Sequence, residues 1–450
     1  AILRKTGAGA FFTDIAFAVT GWSRGGPAKA AVVSSTFFGM ISGSSVANTV
    51  TTGCFTIPLM KRTGYPAHFA AGVEASSSTM GQIMPPVMGA AAFIMAEFLG
   101  TTYLKVCIAA FIPAVLAFFA TFMQVHFRAV SMGLHGLSRS ELPSIRQTFA
   151  RGWHHVFSIL LLVVFLMQDY SAERAVFWAI IATVLSSFIM AVIRKESLKA
   201  FGRSLLEGFR DGAIGSVEVA AACAAAGIII GCITMTGLGM KFSSFVIDAS
   251  QGYLFLALPF TMIACLFLGM GVPTTAQYII ITALVAPALT QMGVLAISAH
   301  LFILYFGTRA DITPPVALAA YAGAGIAQAD PWKTGLSAFQ LGLAGFIIPF
   351  MFVYSPELLL IGDPLNIALA FATAVLGVLC LAAAVQRCLL IEAKWYEAVV
   401  LMAAALLLIK PGVLTDISGL SLFLAVFLLQ RARRSRLREN SSGEAANSEA

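Results

Sequence analysis

Long apolar runs alternate along this chain with shorter apolar arms that stop at clusters of small polar residues. A membrane-spanning helix needs about 20 apolar residues. Runs of that kind are predicted at roughly 104 to 125, 153 to 168, 175 to 193, 213 to 235, 336 to 354 and 364 to 385. Two arms, from Ala30 to Ile41 and from Val46 to Met60, are too short to cross. They read as a re-entrant hairpin with its tip at Ser42-Gly43-Ser44-Ser45 and its mouth between Arg24 and Lys61-Arg62. A half-helix then runs from Ala67 to Thr79, breaks at Gly81-Gln82-Ile83-Met84-Pro85-Pro86 and resumes to Phe98. Proline cannot donate to the helix ladder and pushes the residue before it out of helical geometry, so the break follows from the backbone. In lipid, unwound backbone must find partners inside the protein or line a cavity, and the two breaks therefore mark a site.

The same plan recurs. Gly39-Met40 and Gly269-Met270 lie 230 positions apart, as do Thr6-Gly7 and Thr236-Gly237, and Ser44-Ser45 falls on Thr274-Thr275 at that offset. Pro85-Pro86 falls one position out of register on Pro314-Pro315. The second copy has hairpin arms at 253 to 270 and 276 to 289, and a broken helix from 297 to 327 with its gap at Arg309 to Pro315. Each copy is preceded by a surface helix, at 6 to 22 and 237 to 252. An internal repeat of this size in an apolar chain points to a transporter built from two halves. The expected division is 1–100 first repeat, 101–235 connecting and scaffold spans, 236–330 second repeat and 331–385 further scaffold. A C-terminal extra hydrophobic pair follows at 386–430, and then a basic, afterwards disordered tail at 431–450, with disorder from Glu439 onward.

Composition fixes the class. Of the 450 residues 59% are hydrophobic and 11% charged, and mean hydropathy is +0.89; soluble domains carry about 25% charged residues. The expected fold is an all-α polytopic membrane protein. The net charge of +7 reports topology, because Arg128, Arg139, Arg146 and Arg151 fill one loop, and Arg194, Lys195, Lys199, Arg203 and Arg210 fill the loop two spans later. By the positive-inside rule those loops, the first hairpin mouth and the C-terminal tail are cytoplasmic. Five crossings between the two surface helices then invert the second repeat. The seven cysteines have no metal-ligand spacing and sit in apolar segments as small hydrophobes.

Hydroxyls, amides and exposed carbonyls are hard oxygen donors suited to an alkali cation. Ser42, Ser44, Ser45 and Asn48, with carbonyls from Gly81 to Met84, form one candidate Na⁺ site. Thr274, Thr275, Asp311 and Thr313 form its partner. Half-helix N-termini at the breaks offer partial positive charge to an anionic substrate, with contacts expected from Ser45, Pro85, Pro86, Thr274, Arg309 and Pro314. Small residues at the tips could instead serve only close helix packing, but two paired copies favour a site. Arg309 and Asp311 are open to two readings, a mutual ion pair or direct ligands. Glu74 and Glu218 are intramembrane carboxyls that either bridge helices or touch transport. His68, His154 and His155 are expected at interfaces. The enzyme class is disfavoured: there is no His-Glu-x-x-His, no Gly-x-Gly-Asp and no Gly-x-Ser-x-Gly accompanied by a triad. A passive channel remains open and differs from a symporter in needing no Na⁺ gradient.

Three runs carry a resemblance. They are Ser42-Gly43-Ser44-Ser45-Val46-Ala47-Asn48 with Phe55-Thr56-Ile57-Pro58, then Gly81 to Phe93, then Leu268-Gly269-Met270-Gly271-Val272-Pro273-Thr274-Thr275 with Asp311-Ile312-Thr313-Pro314-Pro315. The chain resembles the large membrane subunit of TRAP transporters, and more narrowly the fused permeases that work with TAXI-type binding proteins. Met80 departs from the glycine of that pattern. The resemblance implies an inverted repeat with two re-entrant hairpins and two broken helices, an elevator fold like that of the ion-transporter superfamily, in the bacterial inner membrane. It implies Na⁺-driven uptake of organic acids with Na⁺ as coupling ion and no other cofactor. It also implies two partners, a periplasmic TAXI-type binding protein and a small membrane subunit. The chain starts at Ala1 without Met and is expected to be N-terminally incomplete. The alternative is a stand-alone Na⁺/carboxylate symporter of the related divalent-anion type.

Overall fold

The computed structural model describes all residues except 169, 196, 411, 449 and 450, and describes only the backbone of 218 and of 437 to 448. Helices α1 (Ile2–Lys5) and α2 (Ala8–Thr20) precede the first hairpin, α3 (Gly26–Ser42) and α4 (Ser45–Arg62). The first broken helix is α5 (Ala67–Gly81) and α6 (Ala90–Phe98). Four long helices follow: α7 (Tyr103–Ser131), α8 (Ile145–Met167), α9 (Ala172–Ile193) and α10 (Leu198–Thr236). The second copy comprises α11 (Leu238–Ala249), the hairpin α12 (Leu254–Gly269) and α13 (Thr274–Gln291), and the broken helix α14 (Ala296–Ala310) and α15 (Leu318–Ala327). The chain ends with α16 (Pro331–Leu341), α17 (Ala344–Tyr354), α18 (Pro364–Val385), α19 (Trp395–Ile409) and α20 (Val413–Ser448).

Among the described residues there is no β-strand element, and seven helical segments are long and apolar enough to cross a membrane. They are α7 to α10, α16 with α17 counted as one segment, α18, and the part of α20 to Arg436. The hairpin arms have 17, 18, 16 and 18 residues, at the lower end of the length that crosses a membrane. One expectation changes at the C-terminus, where α20 runs to Ser448 through the stretch expected to be disordered. The Arg, Leu and Ala residues from 431 to 438 favour a helix that continues from the apolar part, whereas nothing in the composition of 439 to 448 explains its extension to Ser448.

Local chemistry explains the tips and breaks. Gly43 takes a left-handed conformation at φ 69° and donates to Gly39 O at 2.9 Å, which ends α3. Ser44 at once caps α4, its Oγ accepting from Ala47 N at 3.4 Å, so two residues turn the chain. The repeat is visible in helix bounds: α4 and α13, and α5 and α14, start and end 229 positions apart. In both breaks the Pro-Pro bond is cis, and the residue two after it, Met88 or Ala317, has positive φ. Gly89 N donates to Gln82 O at 2.8 Å and Ala319 N to Asp311 O at 3.0 Å, so both gaps are closed onto the same acceptor position by donors one residue apart in register.

The two copies interlock. Helix α5 packs against α3, α4, α15 and α16, while α13 packs against α12, α14 and α6, so each hairpin meets the second half-helix of the other copy. The two cores differ in chemistry. Helix α14 buries Phe302, Ile303, Leu304, Tyr305 and Phe306, whereas α5 buries Glu74, Ser76, Ser77, Ser78 and Thr79. Arg194 donates to the carbonyl of Arg151, so the basic ends of α8 and α9 lie together. Lys5 pairs with Glu207 and Asp211 at 3.3 Å each, which places the N-terminus beside the start of α10.

Candidate cation and substrate site

The first tip is held on α5 by glycines. A Cβ on Gly81 would lie 2.5 Å from Gly39 C and Cα, so the two backbones touch where side chains would separate them. That approach lets Asn48, fully buried on the first turns of α4, reach both neighbours. Its Nδ2 donates to Ser35 O at 2.8 Å and to Ser78 Oγ at 2.9 Å, while Oδ1 has no partner. Ser45 is buried and donates to Asp311 Oδ2. Ser42 Oγ donates to Ser44 O at 3.3 Å, and Ser44 is exposed at the cap.

The Ser45 to Asp311 bond changes one expected grouping. Asp311 was expected to join Thr274 and Thr275, but its carboxylate is joined to the first hairpin. The physical reason is the interlocking: α15 packs on α4, and a carboxylate at the N-terminus of α4 is favoured by the unsatisfied N–H groups there. Thr274 and Thr275 open α13, are half-buried, and have no side-chain hydrogen bond to Asp311 or Thr313. Thr313 Oγ1 donates to Arg309 O at 2.7 Å.

Gln277 was not anticipated. It is fully buried, its Nε2 donates to Gly307 O at 2.9 Å, and its Oε1 is unpaired. It stands 229 positions after Asn48, and Gly307 stands 229 after Ser78, so the two amides are equivalents. The signal was present in the prolines, which already show the 229 offset, because one residue fewer separates Gly269 from the start of α13 than separates Gly39 from the start of α4. The fixed offset of 230 instead pointed to Tyr278, whose hydroxyl meets His300 Nδ1 at 2.6 Å.

Arg309 and Asp311 form no ion pair among the described residues. Arg309 is fully buried, and one Nη donates to Thr79 Oγ1 at 3.0 Å while Nε and the other Nη have no partner. Its room is made by Gly345, where a Cβ would sit 2.3 Å from Arg309 Nε. Pro85, Pro86 and Pro314 are half-buried in their gaps. His154 and His155 are buried in α8, with Phe11 of α2 5.8 Å from His155. Glu74 is fully buried and accepts from Ser35, Thr52 and Thr56. The side chain of Glu218 lies outside the described residues. No group of three or more His, Cys, Asp or Glu that could hold a metal occurs among the described residues.

Paired hairpins and broken helices that meet across two halves of an apolar, all-helical chain define a membrane transport protein. The family model described as tripartite ATP-independent periplasmic transporter, DctM component, matches residues 1–367, and the chain belongs to that family. A second model, described only as a domain of unknown function, matches 367–418. The chain is similar to the C4-dicarboxylate TRAP transporter large permease protein DctM of Pseudomonas aeruginosa, with 27% identity over 73% of this chain and 77% of that protein. It is 23% identical to the 2,3-diketo-L-gulonate TRAP transporter large permease protein YiaN of Escherichia coli, over 80% of this chain and 83% of that protein. It is 22% identical to the sialic acid TRAP transporter permease protein SiaT of Haemophilus influenzae, over 75% of this chain and 52% of that protein. The chain is thus an integral inner-membrane permease component and not an enzyme, of a family that works with a periplasmic binding protein and a small membrane subunit.

Proposed function

We propose that the chain is the translocating subunit of a Na⁺-driven importer of organic acids, fed by a TAXI-type periplasmic binding protein and moving its hairpin core as an elevator. The observation that carries this reading is the Ser45 to Asp311 bond, which joins the tip of one repeat to the gap of the other. A carboxylate, hydroxyls and loop carbonyls at that junction are the donor set an alkali cation takes. A bound cation there would fix the first hairpin against the second broken helix and complete a place for an anion at the half-helix N-termini. The three relatives are named for C4-dicarboxylate, 2,3-diketo-L-gulonate and sialic acid, all organic acids. Long helices without polar breaks, such as α8 and α9, suit a fixed scaffold, and the basic loops suit a cytoplasmic C-terminus with the second repeat inverted.

The test is uptake in proteoliposomes containing the chain, a small membrane subunit and a TAXI-type binding protein, over a panel of dicarboxylates, 2-oxo acids and sugar acids. Uptake should require an inward Na⁺ gradient and both partners. Equal uptake without the gradient would overturn Na⁺ coupling, and equal uptake by the chain alone would favour the stand-alone symporter.

A further inference from the structure

Glu74 lies seven residues before Gly81 on α5, about 10 Å along the helix from the tip contact. It is fully buried, and no residue of opposite charge is joined to it among the described residues. The cations on the helices packed around it are engaged elsewhere. Lys29 of α3 donates to Ser23 Oγ and Lys61 of α4 to Ala327 O, while Arg62 is exposed at the end of α4. Arg128 of α7 lies over Phe69, and Arg309 of α14 bonds Thr79. His126 and Lys105 of α7, His300 of α14 and Lys333 of α16 make no hydrogen bond or ion pair to it, and α15 carries no charged residue.

The hydrogens around this carboxyl do not suffice. Ser35 and Thr52 meet its Oε1 and Thr56 meets its Oε2. Ser35 and Thr52 are also 2.9 Å from each other, Thr52 is 2.9 Å from Asn48 O, and Thr56 is 3.1 Å from Thr52 O. Each hydroxyl has one hydrogen. With Ser78 Oγ, 3.4 Å from Ser35 Oγ, four hydroxyl hydrogens face seven oxygen–oxygen contacts. Asn48 Oδ1, buried beside them, adds an acceptor with no donor. An acceptor-rich, net negative cluster out of water requires a positive charge.

We propose that Glu74, Ser35, Thr52, Thr56 and Asn48 form a further monovalent-cation site, deeper than the tip, that holds one positive charge, either Na⁺ or a proton, against the Glu74 carboxyl. The inference rests on the transport reading only for its consequence, a second point at which ion occupancy locks the first hairpin onto α5. Its test reads occupancy and not uptake, so loss of uptake would strike the earlier reading and leave this one standing. The carboxyl C=O stretch of Glu74 is assigned in the purified 450-residue chain by infrared difference against Glu74→Gln, then followed while Na⁺ replaces choline and while pH is varied. The thermal midpoint is measured along both titrations. A Glu74 band that responds to Na⁺ identifies a Na⁺ site, and one that responds to pH alone identifies a proton site. In either case the half-point of the thermal response should move by at least about tenfold in Glu74→Gln, the loss expected for a charged hydrogen-bond partner. If Glu74→Gln does not fold, Ser35→Ala and Thr56→Val carry the same comparison. A Glu74 signal unmoved by either titration, or wild-type half-points in the variants, would overturn the proposal.

Discussion

Replacing Gly81 by alanine tests whether backbone contact at the first tip holds the candidate cation site together. The new Cβ would lie 2.5 Å from Gly39 C and Cα and 2.7 Å from Met40 N, all backbone atoms that cannot rotate away. Carbon pairs settle at about 3.5–4.0 Å, so α3 and α5 must part by about 1 Å at this point. Asn48 spans that gap, with bonds of 2.8 Å to Ser35 O and 2.9 Å to Ser78 Oγ. A parting of about 1 Å takes the longer reach beyond hydrogen-bond range. Overpacking costs about 1–3 kcal/mol and a weakened buried bond about 1 kcal/mol more, so Gly81→Ala should lose roughly 2–4 kcal/mol. The assay is thermal unfolding of the purified chain with and without Na⁺. Gly202→Ala serves as control, because nothing lies within 4 Å of a Cβ there. The variant should also need about tenfold more Na⁺ for half its stabilisation. Unfolding within about 0.5 kcal/mol of wild type, with unchanged Na⁺ dependence, would refute the reasoning.

Asn48→Ala and Gln277→Ala should each cost about 1–3 kcal/mol by stranding buried partners, and both should raise the Na⁺ requirement of uptake if the two amides are equivalent; a change in only one would break the equivalence. With exposed Cys54 and Cys232 replaced by serine, a cysteine at Ser140 should react with an impermeant thiol reagent only from the cytoplasm, and one at Gln251 only from the periplasm. Reaction of both from the same side would remove the inverted topology.

Hydrophobic pattern made the helices legible because the penalty for unpaired backbone in lipid is large enough to override local preference. Both hairpins and both proline breaks lie within a few residues of where arm length and proline position put them, whereas α8 and α10 begin 8 and 15 residues before the apolar runs that predict them. Pairing between elements was less legible. Asp311 looked like a partner of Thr274 because both belong to one copy, and no sequence pattern states that α15 packs against α4. Glu74 was legible as an intramembrane charge, but its surroundings were not: Ser35, Thr52 and Thr56 come from two other helices and meet it only through the hairpin fold. Gln277 escaped because the offset was fixed on glycines before the tip and not on prolines after it.

The repeat itself separates what is scaffold from what is chemistry. Positions 229 apart share their backbone: Ile83 N and Ile312 N donate to Met80 O and Arg309 O at 3.1 Å, and Met84 N and Thr313 N to Gly81 O and Ala310 O at 3.3 Å. Their side chains diverge where charge is involved, since Glu74 stands opposite Ile303, Met80 opposite Arg309 and Gln82 opposite Asp311. Both buried carboxylates of the two copies therefore act on the first hairpin, Asp311 through Ser45 and Glu74 through Thr52 and Thr56, while no carboxylate is joined to the second among the described residues. Two elements of equal geometry but unequal charge respond unequally to a cation. A monovalent cation can stabilise closure of the first hairpin through charge neutralisation in a low-dielectric setting, and that of the second only through neutral dipoles. Under the Na⁺-coupled function proposed above, the first hairpin would be the element whose position the ion sets.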